Sequence, residues 1–207
     1  MLFDSIKMSK SFLHVGCGPA RKANTVKGFN THEWRELRFD IDPSVEPDIV
    51  GTMTDMSAVE SASVDALYSS HNIEHLYPHE VSVALREFHR VLRDDGFAVI
   101  TCPDLKSVCA LVAQDRLLEP AYISSGGPIA PLDILYGLRS SMAKGNLYMA
   151  HRCGFTERVL RGSLQSAGFA VVATIARPAT FDLWALASKS PRGEPEMREM
   201  AELYFAH

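Results

Sequence analysis

The sequence has no apolar stretch of membrane-spanning length, so no transmembrane helix is expected among its 207 residues. Its opening decapeptide, MLFDSIKMSK, lacks a long apolar core and a small-residue cleavage site, and no secretory signal is expected there. The four cysteines, Cys17, Cys102, Cys109 and Cys153, show no CxxC or other zinc spacing. That usage suits a reducing cytoplasm. An excess of positive charge is missing too: the net charge is −4, which argues against a partner chosen mainly through nucleic-acid phosphates. Internal repeats and low-complexity segments are absent. The hydrophobic share of 46% and charged share of 22% are ordinary for a globular protein. The length suits one domain with a full core, residues 1–207.

The first half alternates short apolar runs with helical or loop segments. Strands are predicted at Ser11–Val15, Glu36–Ile41, Asp48–Val50, Val64–Ser70 and Phe97–Cys102. The alternation predicts an α/β fold, a parallel sheet with helices on both faces. Before the fifth strand, Val81, Ala84, Leu85, Phe88, Val91 and Leu92 recur at helical spacing. Glu80 stands at the positive end of that helix, Arg90 and Arg93 at its negative end, and Asp94-Asp95-Gly96 stops it. Arg86, Arg90 and Arg93 read as a solvated face.

Near the C-terminus, Thr156 is placed as a helix N-cap, Phe155 and Leu160 as a hydrophobic staple, and Gly168 as the stop. Two apolar runs follow, Phe169–Ile175 and Phe181–Ala187, close enough to pair only antiparallel. They make residues 155–190 a helix plus a strand pair. Residues 191–207 hold a last helix with Met197, Met200, Ala201 and Tyr204 on one face, facing the core or the partner of a homodimer. Residues 119–154 are rich in proline and glycine, as a lid or binding loop is, and leave the sheet at the edge where open α/β folds bind ligands. Tyr122, Tyr136, Tyr148, Arg139 and Arg152 in this lid are candidates for an acceptor pocket, with ordinary lid packing as the alternative.

A run SFLHVGCGPA turns sharply through Gly16, Cys17 and Gly18, which lets the backbone approach a ligand closely. The helix start expected next offers free N–H groups. Asp40, in LRFDIDPS, stands where a ribose-binding acid is expected in a βαβ unit, with Ile41 beside it and Asp42 on the same strand face. Asp55, in GTMTDMS, suits an adenine amino group with Met56 over the ring; it equally suits a helix N-cap.

The ordered set LHVGCGP, RFDIDP, TDM, VDALYSSHNIEHL and EFHRVLRDDGFAVITCPDL resembles class I S-adenosylmethionine-dependent methyltransferases, in particular small bacterial type-11-like members. The resemblance covers about residues 13–106, the cofactor-binding half (11–106), and returns faintly at GFTERVLRGSLQSAGF. It implies a Rossmann-like, doubly wound seven-stranded sheet, mostly parallel with one antiparallel strand. It further implies S-adenosylmethionine as cofactor. Gly16, Cys17 and Gly18 would flank its methionine part, Asp40 its ribose, Asp55 and Met56 its adenine. Ser70, His71 and Asn72 would lie near the sulfonium methyl. Two positions depart from the pattern: His14 stands for the usual acid that orients the cofactor's ammonium, and Ala20 for a third glycine. Relatives that share the histidine often belong to sugar or envelope metabolism.

Methyl transfer is an in-line displacement in which the protein mostly positions the acceptor. His71 is the candidate base and His151 the runner-up. His71, His75 and His79 recur every four residues, a spacing that suits zinc on a helix, but Pro78 breaks such a helix and no metal site is expected. The favoured reading is a methyltransferase acting on a small-molecule or glycan-related acceptor, with no nucleic-acid or membrane partner. The alternatives are an inactive cofactor-binding sensor or assembly subunit and, further behind, a nicotinamide oxidoreductase lacking the third glycine of GxGxxG.

Overall fold

Seven of the apolar runs pair into a single sheet in a computed structural model that describes residues 9–124 and 126–206. Residues 1–8, most of the stretch read for a leader, lie outside it. The first five strands are β1 (Lys10–Val15), β2 (Trp34–Asp40), β3 (Ile49–Val50), β4 (Val64–Ser70) and β5 (Leu92–Pro103). A small hairpin, β6 (Tyr122–Ser124) and β7 (Gly127–Ile129), stands apart, and β8 (Val171–Arg177) and β9 (Asp182–Ser188) complete the large sheet. Its order is β3-β2-β1-β4-β5-β9-β8, all parallel except β9, which runs antiparallel to both neighbours. This is the sheet the sequence resemblance implies.

Two different coverings close its faces. Helix α1 (Val81–Val91) turns Val81, Ala84, Leu85, Phe88 and Val91 inward, as its spacing predicts. Each such side chain contributes roughly 1.5–3 kcal/mol when fully buried. Helix α2 (Leu105–Val112) follows β5, and α5 (Glu157–Ser166) packs near α1, with Phe155 and Leu160 buried as the staple requires. Thr156 holds the N-cap position without a side-chain hydrogen bond. The opposite face is covered by an aromatic cluster of Phe12, Phe29, Trp34, Tyr68 and Phe97 and by helix α6 (Glu194–Tyr204). Met197 and Tyr204 are buried there, so the apolar face of the last helix is spent on its own core.

Two expectations are corrected. No α-helix follows Gly16–Gly18: the chain makes only a 3-10 turn at Lys22–Asn24, and Phe29 stacks on Phe12 at 4.4 Å in a helix's place. Arg90 is not a solvated residue: it pairs with Glu87 and donates to the carbonyls of Met56 (2.8 Å) and Val59 (2.9 Å), tying that loop to α1. Residues 119–154, the segment expected to form a lid or binding loop, contain the β6–β7 hairpin and short helices α3 (Pro131–Tyr136) and α4 (Arg139–Met142). Buried Asp133 organises this segment, accepting from the Ala130 N–H and the Arg139 guanidinium. Among the described residues no helix is long and apolar enough to cross a membrane.

Candidate active site

The C-terminal ends of β1, β2 and β4 surround a cavity of about 460 Å³, a size that suits a small ligand. Gly16, at φ +64, turns the chain out of β1 and over β2, where its N–H meets the Phe39 carbonyl at 2.8 Å. A Cβ there would sit 2.0 Å from the Asn72 amide oxygen. Asn72 needs that space because its Nδ2 donates to the carbonyls of Val15 (3.0 Å) and Ser70 (2.9 Å), pinning β1 to β4. Gly18, at φ +51, has nothing within 4 Å of where a Cβ would stand and opens on the cavity.

Asp40 ends β2 and lines the same cavity. Its two oxygens accept from the N–H groups of Gly18 (2.7 Å) and Asp42 (2.9 Å), which fixes the carboxylate and leaves lone pairs for further donors. Beneath it lies a residue that sequence reasoning missed. Arg38 is buried and donates to the carbonyls of Ala20 (3.1 Å), Glu46 (2.6 Å), Val45 (3.2 Å) and Gly18. One guanidinium thus staples the glycine loop to the loop after β2. The available signal was its place two residues before Asp40, on one strand face.

His14 and Cys17 do not reach the cavity. The His14 ring points to the aromatic face, where Nδ1 meets Glu36 at 2.6 Å. The other Glu36 oxygen accepts from the Lys22 N–H at 2.8 Å, so the pair anchors the 3-10 turn. Burial holds His14 below its ordinary value despite the Glu36 carboxylate. Burial pushes the Cys17 thiol up to about 11, which keeps it a small apolar filler. Asp55 and Met56 are also displaced from the expected place. Asp55 is exposed and accepts from the Ser57 N–H in a turn that starts no helix, so it caps none, while Met56 is fully buried in the core. Ile41, Val45, Thr52 and Met53 line the cavity where those two residues were expected.

At the other end, Ser70 bonds Thr101 at 2.8 Å and His71 follows with φ +54. A non-glycine residue there is strained, a feature that clusters at functional sites. The His71 side chain is 49% exposed, and its Nδ1 stands 3.4 Å from Glu74, whose side chain is 1% exposed. Burial opposes both charges, yet the pair outweighs it. The Glu74 carboxylate raises His71, and His71 in turn holds the Glu74 carboxyl below its usual range.

The lid reaches this end through its last residues. The backbone N–H groups of Arg152 (2.8 Å) and Cys153 (3.2 Å) donate to the Glu74 carbonyl, and the Arg152 guanidinium donates to the His75 carbonyl at 2.7 Å. Arg152 also lies over the Tyr77 ring at 4.8 Å. Arg152, Tyr148, Met149 and Asn146 line the cavity. Tyr122 instead stacks on Phe181, and Tyr136 is 60% exposed away from it. His151 is behind the wall: its Nδ1 donates to the Ile134 carbonyl at 2.8 Å and its ring lies 4.9 Å from that of His75. His79 is exposed.

A mostly parallel sheet with one reversed strand, and a glycine turn and a strand-end acid around one cavity, make up the Rossmann-like fold that S-adenosylmethionine-dependent methyltransferases share. Residues 13–100 match the family model of a type-11 methyltransferase domain. Solved structures share the fold at low identity. The Burkholderia thailandensis 1,6-didemethyltoxoflavin-N1-methyltransferase, with bound 1,6-didemethyltoxoflavin and S-adenosylhomocysteine, is 19% identical with a TM-score of 0.53, over 87% of this chain and 71% of that one. A SAM-dependent methyltransferase from Archaeoglobus fulgidus is 13% identical with a TM-score of 0.57, over 88% and 87%. The PH0226 protein from Pyrococcus horikoshii OT3 is 13% identical with a TM-score of 0.60, over 90% and 84%. No curated protein matches the chain significantly.

Proposed function

We propose that the chain transfers a methyl group from S-adenosylmethionine to a small-molecule or glycan-related acceptor held between the β4 edge and the lid. The observation that carries this is the fixed Asp40 carboxylate beside the open Gly18 backbone in one cavity. The residues present fit the cofactor. Gly18 leaves room for a chain to pass, Asp40 retains lone pairs for a ribose diol, and Ile41, Val45 and Met53 offer an apolar slot for a base. When bound, the cofactor supplies an electrophilic methyl on a good leaving group.

The protein's own work is then placement and proton handling. Asn72 fixes the floor, and Tyr148 and Arg152 present an aromatic face and a cation to the acceptor. His71, with Nδ1 toward Glu74, has Nε2 to accept a proton from an acceptor hydroxyl or ammonium. His151 lies behind His75 and supports the wall. The unpaired cysteines suit a cytoplasmic setting. Calorimetry with S-adenosylhomocysteine tests the cofactor half, and labelled S-adenosylmethionine against fractionated cell extract tests the transfer. Methylation of one fraction, lost in His71→Gln while cofactor affinity stays, supports the reading. No cofactor binding by the folded protein overturns it.

A further inference from the structure

The turn after β4 carries Glu74 and His75 side by side, and the end of the 119–154 segment brings His151, some 75 residues away in sequence, up to them. Glu74, His75 and His151 place one ligand atom each within 4.8 Å of one another. Glu74 is 1% exposed, and neither of its carboxylate oxygens receives a hydrogen bond. The nearest nitrogen from another direction, His71 Nδ1, stands at 3.4 Å from only one of them. A buried carboxylate with one ion-pair partner at 3.4 Å and no hydrogen bond is under-compensated for the water it has lost.

The two imidazoles do not repair this. His75 Nδ1 contacts the Ala150 carbonyl at 3.1 Å, and His151 Nδ1 contacts the Ile134 carbonyl at 2.8 Å. A carbonyl only accepts, so each Nδ1 carries the proton and donates it. In the neutral ring the Nε2 nitrogen then carries a lone pair. Each of the three residues has a ligand atom within 4.8 Å of the others', and with both Nδ1 protons committed to carbonyls neither imidazole hydrogen-bonds the carboxylate. Such a set is mutually repulsive unless a cation lies between. A backbone carbonyl on the distal nitrogen is also how ligating histidines are usually oriented.

We propose that Glu74, His75 and His151 bind a divalent first-row transition metal ion, zinc by the character of its donors. Two imidazoles and one carboxylate are a zinc set, whereas magnesium and calcium prefer oxygen ligands throughout. Small side-chain rotations bring the three atoms to the roughly 3.4 Å expected between ligands set tetrahedrally about 2.1 Å from one ion. Three protein ligands leave a fourth position. His75 also lines the cavity, so that position is open to an oxygen of the acceptor. The acceptor assignment rests on the function proposed above; metal binding itself does not. The ion would join the lid to the sheet, since His151 comes from the lid and its partners from the turn after β4.

The test is calorimetric titration of chelator-treated protein with Zn²⁺, alongside Co²⁺ absorption spectra. The expected result is one ion per chain, a rise in Tm, and the visible bands of a four-coordinate Co²⁺ site. His75→Ala and His151→Ala should each weaken Zn²⁺ binding by about 100-fold or more. His79→Ala, on an exposed neighbouring histidine, should leave it unchanged. Glu74→Gln adds a further check but is buried; the His151 variant, on the half-buried lid end, keeps the test decisive if Glu74→Gln fails to fold. No stoichiometric binding by the wild type, or wild-type affinity in both histidine variants, overturns the proposal. S-adenosylhomocysteine binding is measured on the same preparation. Zinc failing while the cofactor binds removes the metal alone, and the reverse removes the methyl-transfer reading alone.

Discussion

The two ends of the cavity differ in how complete they are. At the glycine end every strategic polar group has a partner within the chain: Asp40 holds two N–H groups, Arg38 holds four carbonyls, and Glu36 joins His14 to the Lys22 backbone. At the lid end Glu74 is buried without donors, and His71 sits strained at φ +54. The difference teaches a division of labour. On the proposed function the glycine end is the donor half, preorganised by the protein alone, and the other end is the acceptor half, whose groups find partners in what binds there.

That contrast breaks first at Arg38. Arg38→Ala leaves several inward-facing carbonyls without donors and should cost about 3 kcal/mol or more of stability, read by denaturant unfolding, with cofactor binding lost in parallel. If the variant is as stable as the wild type, the donor half is not held by this staple.

The two glycines sharpen it next. Gly16→Ala should lower stability by about 2 kcal/mol, from its positive φ and from displacing Asn72. Gly18→Ala meets no atom, so its loss should be smaller in stability and appear chiefly as weaker S-adenosylhomocysteine binding in calorimetry. Equal effects of the two would erase the distinction between a packing glycine and a ligand-facing one.

His14 gives a pH signature confined to the donor half. Its folded value lies below the ordinary 6.5, so below that pH the unfolded chain takes a proton that the folded chain resists. Stability therefore falls as pH drops through this region and is retained above it. His14→Gln should flatten that slope when unfolding is measured from pH 7.5 down to about 5. Replacing His14 with Asp should destabilise instead, because it sets a second carboxylate against Glu36. The smallest effect belongs to Asp55→Ala: with Asp55 outside the cavity, cofactor affinity should not change.

How far the sequence led follows from where its signals are local. Strand β4 and the buried stripe of α1 were legible because period and burial coincide within a few residues. The place of Asp40 beside the glycine turn was legible from its distance behind it. Asp55 was misplaced because a carboxylate after a strand serves a ligand and a turn equally well, and the turn won. The helix expected after Gly18 failed because Phe29 and Trp34 cover that face without one. Arg38 was missed since a charged strand residue reads as exposed, and here carbonyls from two loops satisfy it instead. The Glu74 cluster was beyond reach, as its members join across a lid whose closure no local pattern encodes.

The proposed function stands on Asp40 and the glycine turn forming a finished cofactor site. Calorimetric titration of the wild type and Asp40→Asn with S-adenosylhomocysteine tests it most directly. The account predicts one site in the wild type and an affinity weakened about tenfold or more in the variant, the loss of a charge-assisted hydrogen bond. Equal affinity in the two folded proteins, or no binding in either, would contradict it.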